Sequence, residues 1–409
     1  MPYTEIDCLR CRNDFPSLAG TLDGRPIAFL DGPAGTQVPQ TVIDAISDYY
    51  RTKNANAHGE FATSRESDRL LHEAREAAAA FVGAASWRDV SFGQNMTALT
   101  FSLSHALARD MRPGDEIVIT QLDHEANRGP WLLLQERGIR VREVAMRRDG
   151  TLDPDDFARQ VTERTRLVAV GAASNALGTV NDLQLARRLS AGVGAWLLVD
   201  AVHYAAHFPV DVLELDADFL LCSAYKFYGP HVGILYARPG ILERLTLDRL
   251  RTQEEETPYR FEMGTLNHAA LAGVKAAVDY IASWGRGESL RERIVSAMHD
   301  IAAYEHGVGA HYCELLAEIP GVTIWGPDFR SAQRAPTVSI TFEDFYPVEV
   351  ARRLGDQGIQ VWDGHFYGLR PIEVLGLADR GGVLRTGVCM YNTREEIERL
   401  VAELARLCR

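Results

Sequence analysis

The 409-residue chain carries a net charge of −13 and is 46% hydrophobic and 24% charged, a globular composition with room for a large core and two domains. That negative balance argues against general affinity for nucleic acid or anionic lipid and leaves small molecules as the expected partners. The longest apolar runs, at 77–82 and 195–199, fall far short of a membrane span, and the charged start 1–14 lacks a signal-peptide core, so a cytoplasmic protein without a membrane partner is expected.

In chain order, the first feature is the pair Cys8 and Cys11 in C-x-x-C spacing. The other cysteines (Cys222, Cys313, Cys389, Cys408) are scattered and supply no second knuckle, so all six are read as reduced thiols with no metal site. A short strand at 27–30 runs into the loop Asp31-Gly32-Pro33-Ala34-Gly35-Thr36, which either brings backbone close to a ligand or simply turns. Residues 39–50 read as an amphipathic helix, and 67–82 as an Ala-rich one with Leu70, Leu71, Ala74, Ala78 and Phe81 at helical spacing. A strand at 89–92, the turn Gly93-Gln94-Asn95-Met96-Thr97 and a helix at 98–109 follow. Free N–H groups at a helix start suit a phosphate, although many such units bind nothing.

The alternation continues with strands at 116–120, 140–145, 167–171, 196–199, 217–221 and 232–236, and with helices at 126–137, 153–161 and 183–189. Strands that are apolar throughout and alternate with helices predict a mostly parallel sheet covered on both faces, with several strand ends converging on one crevice. Asp200 follows Leu198-Val199 at such an end. Its carboxylate needs a partner there, which a protonated pyridine nitrogen would provide; capping the segment 201–206 is the alternative. Lys226, in Ser223-Ala224-Tyr225-Lys226, stands beyond another strand end. Burial there would lower its pKa and free an amine for Schiff-base chemistry, and pyridoxal phosphate (PLP) is the aldehyde that chemistry suggests; the bland alternative is a surface lysine.

Residues 249–257 read as a solvated charged loop, 258–267 as a compact polar and glycine-containing segment, and 269–283 as a helix. Trp284-Gly285-Arg286-Gly287 looks like a joint. Beyond it, helices at 290–316 and 347–357 and strands at 322–325 and 337–342 predict a smaller α+β domain. The expected organisation is an N-terminal segment 1–37 packing on both domains, a large domain 38–284 and a small C-terminal domain 285–409.

Taken together, Gln121-Leu122-Asp123-His124-Glu125-Ala126-Asn127, Ser174-Asn175-Ala176-Leu177-Gly178-Thr179, Leu198-Val199-Asp200, Ser223-Ala224-Tyr225-Lys226, Arg260-Phe261-Glu262-Met263-Gly264-Thr265, and Arg385 before Met390-Tyr391-Asn392-Thr393 resemble the class V aminotransferase family of fold-type I PLP enzymes. The likeness spans almost the whole chain and is nearest to cysteine desulfurases of the selenocysteine-lyase-like group. It implies an α/β fold with a mostly parallel seven-stranded-type sheet and a PLP cofactor. Lys226 would carry the cofactor and then move protons, Asp200 would pair with the pyridinium nitrogen, and His124 would stack on the ring. His203 would stand near the cofactor as a hydrogen-bond donor, and Asn175 beside its phenolic oxygen. Asn95, Met96, Thr97, Ser223 and Tyr225 would hold the phosphate. Thr265 would reach it from the partner subunit, which implies a homodimer with shared active sites. Arg385, with Asn175 and His365, would bind an amino-acid substrate.

The resemblance also carries a departure. Where those desulfurases place a nucleophilic cysteine, this chain reads Asp363-Gly364-His365-Phe366-Tyr367-Gly368-Leu369-Arg370-Pro371, with Tyr367 in the corresponding position. A phenol cannot accept sulfur as a thiolate does. The leading expectation is therefore β-elimination by a C–S lyase on cysteine or an S-substituted cysteine. Transamination or epimerisation at Cα is the alternative, ahead of a true desulfurase or a non-catalytic PLP-fold protein. Tyr367 itself is read as a proton donor or a packed lid residue.

Overall fold

The computed structural model describes residues 2–330 and 332–408. Its larger sheet has seven strands in the order Val90–Gly93, Gly233–Ala237, Phe219–Ser223, Trp196–Asp200, Thr165–Gly171, Glu116–Thr120, Arg140–Val144. Only Gly233–Ala237 runs antiparallel to its neighbours; the five strands beyond it are mutually parallel. Alternate side chains of these strands enter two separate apolar clusters. Val168, Val170, Leu197, Val199 and Leu220 pack toward helices Ala62–Val82 and His268–Ser283, while Leu167, Ala169, Leu198, Phe219 and Leu221 pack toward helix Met96–Ala108 and Trp131. A strand covered on both faces has no polar side to show, which is why these stretches read as unbroken apolar runs.

Several boundaries shift for local reasons. The helix expected from 98 begins at Met96, because the Asn95 side chain accepts from Ala98 N–H and caps it. The helix expected from 67 begins at Ala62, its first turns being mostly solvent-facing and polar. The single helix expected at 126–137 is broken into turns over Glu125–Asn127, Gly129–Leu132 and Leu133–Arg137. Pro130 has no N–H to continue a helix from the preceding turn. The strand expected at 217–221 is Phe219–Ser223, so Lys226 is carried on one short turn, Ala224–Lys226, directly past the strand end.

A second, antiparallel sheet orders Val322–Trp325, Thr337–Phe342, Val383–Gly387 and Trp362–Gly364. Helices Leu290–Leu316, Pro347–Asp356 and Arg394–Leu407 pack on it through Val308, Tyr312, Val350, Leu354, Ile397 and Leu400. The N-terminal segment touches both parts. Ala28–Phe29 pairs in parallel with Ile359–Gln360, and Cys8 and Cys11 donate to the carbonyls of Asn392 and Met390. Thr36 donates to the Tyr225 carbonyl and accepts from Tyr228 N–H. A Cβ at Gly387 would collide with Pro33, so glycine is what lets the N-terminal loop cross the second sheet toward Lys226. Among the described residues no helix is long and apolar enough to cross a membrane.

Candidate active site

Four parallel strand ends and the turn before helix Met96–Ala108 surround a cavity of about 630 Å³ lined by Asn95, Met96, Thr97, Asp123, His124, Asn175, Asp200, His203, Ser223, Tyr225 and Lys226 among others. At the start of helix Met96–Ala108, Met96 N–H donates to Ser223 Oγ at 3.2 Å, and the helix N-terminus adds its positive dipole end. Gly233 closes this corner: a Cβ there would collide with the Asn95 carbonyl, so the antiparallel strand could not pass under the turn. Tyr225 stacks on His231 with centroids 4.6 Å apart, which fixes its ring at the cavity edge.

Lys226 is 7% exposed, and its Nζ donates to the carbonyls of Pro33 and Ala34 in the N-terminal loop. Burial, aided by the Arg385 cation, lowers its pKa to about 7. The loop at 31–36 therefore does bring backbone to the site, and it orients the lysine. Asp200 ends the neighbouring parallel strand, with Oδ1 accepting from Val202 N–H at 2.9 Å, and burial raises its pKa to about 6. Asp200 does not cap the following turn, whose N-cap residue is His203; it accepts one local bond while the carboxylate lines the cavity. A buried carboxylate held this way is stabilised by a cationic neighbour such as a pyridinium.

His124 Nδ1 accepts from Ala126 N–H at 3.0 Å, and burial plus the charges of Lys226 and Arg385 drive its pKa down to about 4. With Nδ1 accepting, the neutral ring carries its proton on Nε2. His203 Nε2 shares a hydrogen bond with Thr337 Oγ1 at 2.9 Å, and its Nδ1 is buried without a partner, as is Asn175 Oδ1. Both residues line the cavity, so a ligand bearing a polar oxygen would complete their hydrogen bonding. The donor set, a helix N-terminus for a dianion, a carboxylate for a ring N–H and a desolvated amine for an aldehyde, fits PLP.

The chain matches the aminotransferase class-V family over residues 28–400. It belongs to that family. The enzyme is thereby PLP-dependent and of fold type I. It is 34% identical to a cysteine desulfurase of Pectobacterium carotovorum, with 98% of each chain covered, and 33% identical to one of Serratia proteamaculans, with 97% of each covered. Among solved structures it is similar to the apo cysteine desulfurase of Thermococcus onnurineus, with a TM-score of 0.88, 28% identity and 98% of each chain covered. A cysteine desulfurase of Escherichia coli gives a TM-score of 0.84 at 25% identity, again over 98% of each chain.

The remaining candidates of this class-V enzyme stand at or beyond the cavity rim. Arg385 is buried on strand Val383–Gly387, and its Nη1 donates to the Asn175 carbonyl at 3.0 Å. Tyr367 is 69% exposed, so it is not packed into the core; its ring lies 5.6 Å from that of His124. His365 is exposed, and its Nδ1 accepts from Tyr367 N–H, which turns it to shaping the loop instead of lining the cavity. Thr265 lines two surface clefts, with Gln253 and His268 in one and Tyr50 and Asn267 in the other, and does not line the cavity of its own chain.

Residues not singled out from sequence complete the picture. Asp123 bridges two strand ends, accepting from Thr120 N–H at 2.9 Å and Gly171 N–H at 2.6 Å, and desolvation raises its pKa to about 7. The polar position after Leu122 at a strand end was its signal, the same one that marks Asp200. Glu143 joins Arg128 of the His124 segment to Arg370 of the Tyr367 loop at 2.6 and 2.9 Å. Phe366 lies over the Arg385 guanidinium. No sequence pattern marks these last contacts, which join residues remote in the chain.

Proposed function

We propose that this enzyme is a C–S lyase that carries out β-elimination on cysteine or an S-substituted cysteine. One observation carries the reading: the loop overhanging the cavity presents Phe366 and Tyr367 and no thiol. The two cysteines with charge coupling to the cavity carboxylate or lysine, Cys222 and Cys389, are buried, and burial pushes both thiols well above their ordinary range, so neither supplies a thiolate.

When bound, PLP supplies an electron sink for charge developing at the substrate Cα. The protein side of the work follows from the cavity. Asn95, Met96, Thr97, Ser223 and Tyr225 would hold the phosphate, with Thr265 of a partner subunit adding to them in a homodimer. Support for that arrangement is the position of Thr265 on an open surface beside the exposed Leu250 and Tyr50. Asp200 would pair with the ring N–H, and His124 would cover the ring face. Arg385 takes the substrate carboxylate, which a guanidinium fork suits. With the carboxylate and phosphate held, Lys226 is the group placed to remove the Cα proton, its depressed pKa leaving a basic amine near neutral pH. With no thiolate to take sulfur, electrons displaced from Cα leave through the Cβ–S bond.

Incubating the holoenzyme with L-cysteine tests this. The expected products are pyruvate, ammonia and sulfide; alanine as the main product would identify a desulfurase, and solvent deuterium at Cα of unchanged amino acid would identify an epimerase.

A further inference from the structure

The guanidinium of Arg385 is held on several sides, and the manner of holding assigns a role to a residue with none so far. Its Cζ lies 3.9 Å from the centroid of the Phe366 ring, and its Nη1 donates to the Asn175 carbonyl. The Asn175 side chain closes the triangle, its Nδ2 donating to the Phe366 carbonyl at 2.9 Å. Arg385 Nε is buried and has no hydrogen-bond partner. Burying a guanidinium N–H without an acceptor is costly, and such groups mark places where a ligand completes the bonding.

Phe366 does not reach this position by relaxing into it. Phe366 and Tyr367 have φ of +52° and +58°, left-handed values that non-glycine residues rarely take. The loop is held in that shape by Glu125 N–H donating to the Tyr367 carbonyl at 2.7 Å, by Gly368 N–H donating to the His365 carbonyl at 2.7 Å, and by the Arg370–Glu143 ion pair. Strain of this kind persists only where the surroundings over-determine the geometry.

We propose that Phe366 is the positioning residue of the carboxylate clamp: its ring fixes one face of Arg385 and its carbonyl fixes Asn175, so that a substrate α-carboxylate meets the guanidinium along its Nε edge. Stacking on an aromatic face leaves the in-plane N–H groups of an arginine free, so the ring and the carboxylate do not compete. The orientation of the amino acid over the cofactor position is then set by a loop of the second sheet acting through Arg385. This deepens the preceding assignment of Arg385 to the substrate carboxylate and rests on it.

Two variants separate the aromatic face from mere bulk. Phe366→Leu keeps apolar volume without a π face, and Phe366→Tyr keeps the face. In holoenzyme, Phe366→Leu is expected to raise KM for L-cysteine by about tenfold while kcat moves far less, and Phe366→Tyr to restore KM. In apo-protein, phenylglyoxal modification of Arg385, followed by peptide mass mapping, is expected to run several-fold faster in Phe366→Leu than in wild type or Phe366→Tyr. Wild-type KM and wild-type labelling in Phe366→Leu would overturn the assignment, as would equal impairment of both variants. Should wild-type enzyme turn over no amino acid, the lyase reading fails on its own, and the labelling rates still decide the role of Phe366.

Discussion

Lys226, Asp200 and Ser223 stand at the ends of strands whose neighbours are buried on both faces, whereas Phe366 and Tyr367 stand on consecutive left-handed residues in a partly exposed loop. The cavity floor is fixed by the sheet itself: moving any of its side chains means moving a strand. The overhanging loop is fixed by a few polar tethers, chiefly Glu125 N–H to the Tyr367 carbonyl, Asn175 Nδ2 to the Phe366 carbonyl, and Glu143 between Arg128 and Arg370. The difference separates two properties of the enzyme. On the proposed reading, the floor would hold the cofactor and the loop would bear on the course of the reaction.

That division can be broken from either side, and the floor should give the larger effects. Lys226→Ala removes the amine proposed to move protons, and kcat should fall by about 10²–10⁴-fold in steady-state assays of pyruvate release. Asp123→Ala leaves the N–H groups of Thr120 and Gly171 without their acceptor at two adjoining strand ends. Each orphaned group costs about 1–3 kcal/mol, so thermal melting should move down by several degrees and PLP affinity should fall with it.

The pH dependence of the floor has a definite sign. With its pKa lowered to about 7, Lys226 is a free amine above that pH, so the rate at which apo-protein takes up PLP should rise through pH 7 and then level off, in a stopped-flow absorbance experiment. Between about 7 and the ordinary 10.5 the unfolded chain holds a proton on this lysine that the fold does not. The contribution of Lys226 to stability therefore rises with pH across that window, its penalty being fully present below it.

Changes to the loop should be milder and should leave melting nearly unmoved. Arg370→Ala cuts the tether to Glu143, so KM should rise by a few-fold with kcat less affected, since a loosened loop costs binding before chemistry. The smallest effect belongs to Tyr367→Phe. The Tyr367 ring lies against His124 and is largely exposed. As a cover for that ring it needs no hydroxyl, and kcat should change by less than about threefold; a proton donor would lose about 10²-fold or more.

The same division governs what was legible in the sequence. Apolar runs ending in Asp200 or in Ser223-Ala224-Tyr225-Lys226 announce buried strands with a polar group at the tip, because burial on both faces leaves no alternation to obscure the signal. The helix capped by Asn95 was visible as a turn followed by a helix, and its start was misplaced by two residues because the cap belongs to the side chain of Asn95. The break at Gly129-Pro130 was missed because an apolar pattern continued through it. Phe366 on Arg385 and Glu143 between two arginines were not legible at all. They depend on backbone angles and on the meeting of residues 15 to 227 positions apart, which no local pattern encodes. The proposed use of Thr265 by a partner subunit has the same character, since Thr265 lines surface clefts and not its own chain's cavity.

The central claim is that this class-V enzyme expels sulfur from Cβ instead of accepting it on a protein thiol. S-ethyl-L-cysteine tests it most directly, because its sulfur cannot be passed on as a persulfide. Holoenzyme should convert it to pyruvate, ammonia and ethanethiol in equal amounts. Recovery of unchanged S-ethyl-L-cysteine, under conditions where the cofactor absorbance shows that the amino acid has bound, together with alanine as the main product from L-cysteine, would contradict the claim.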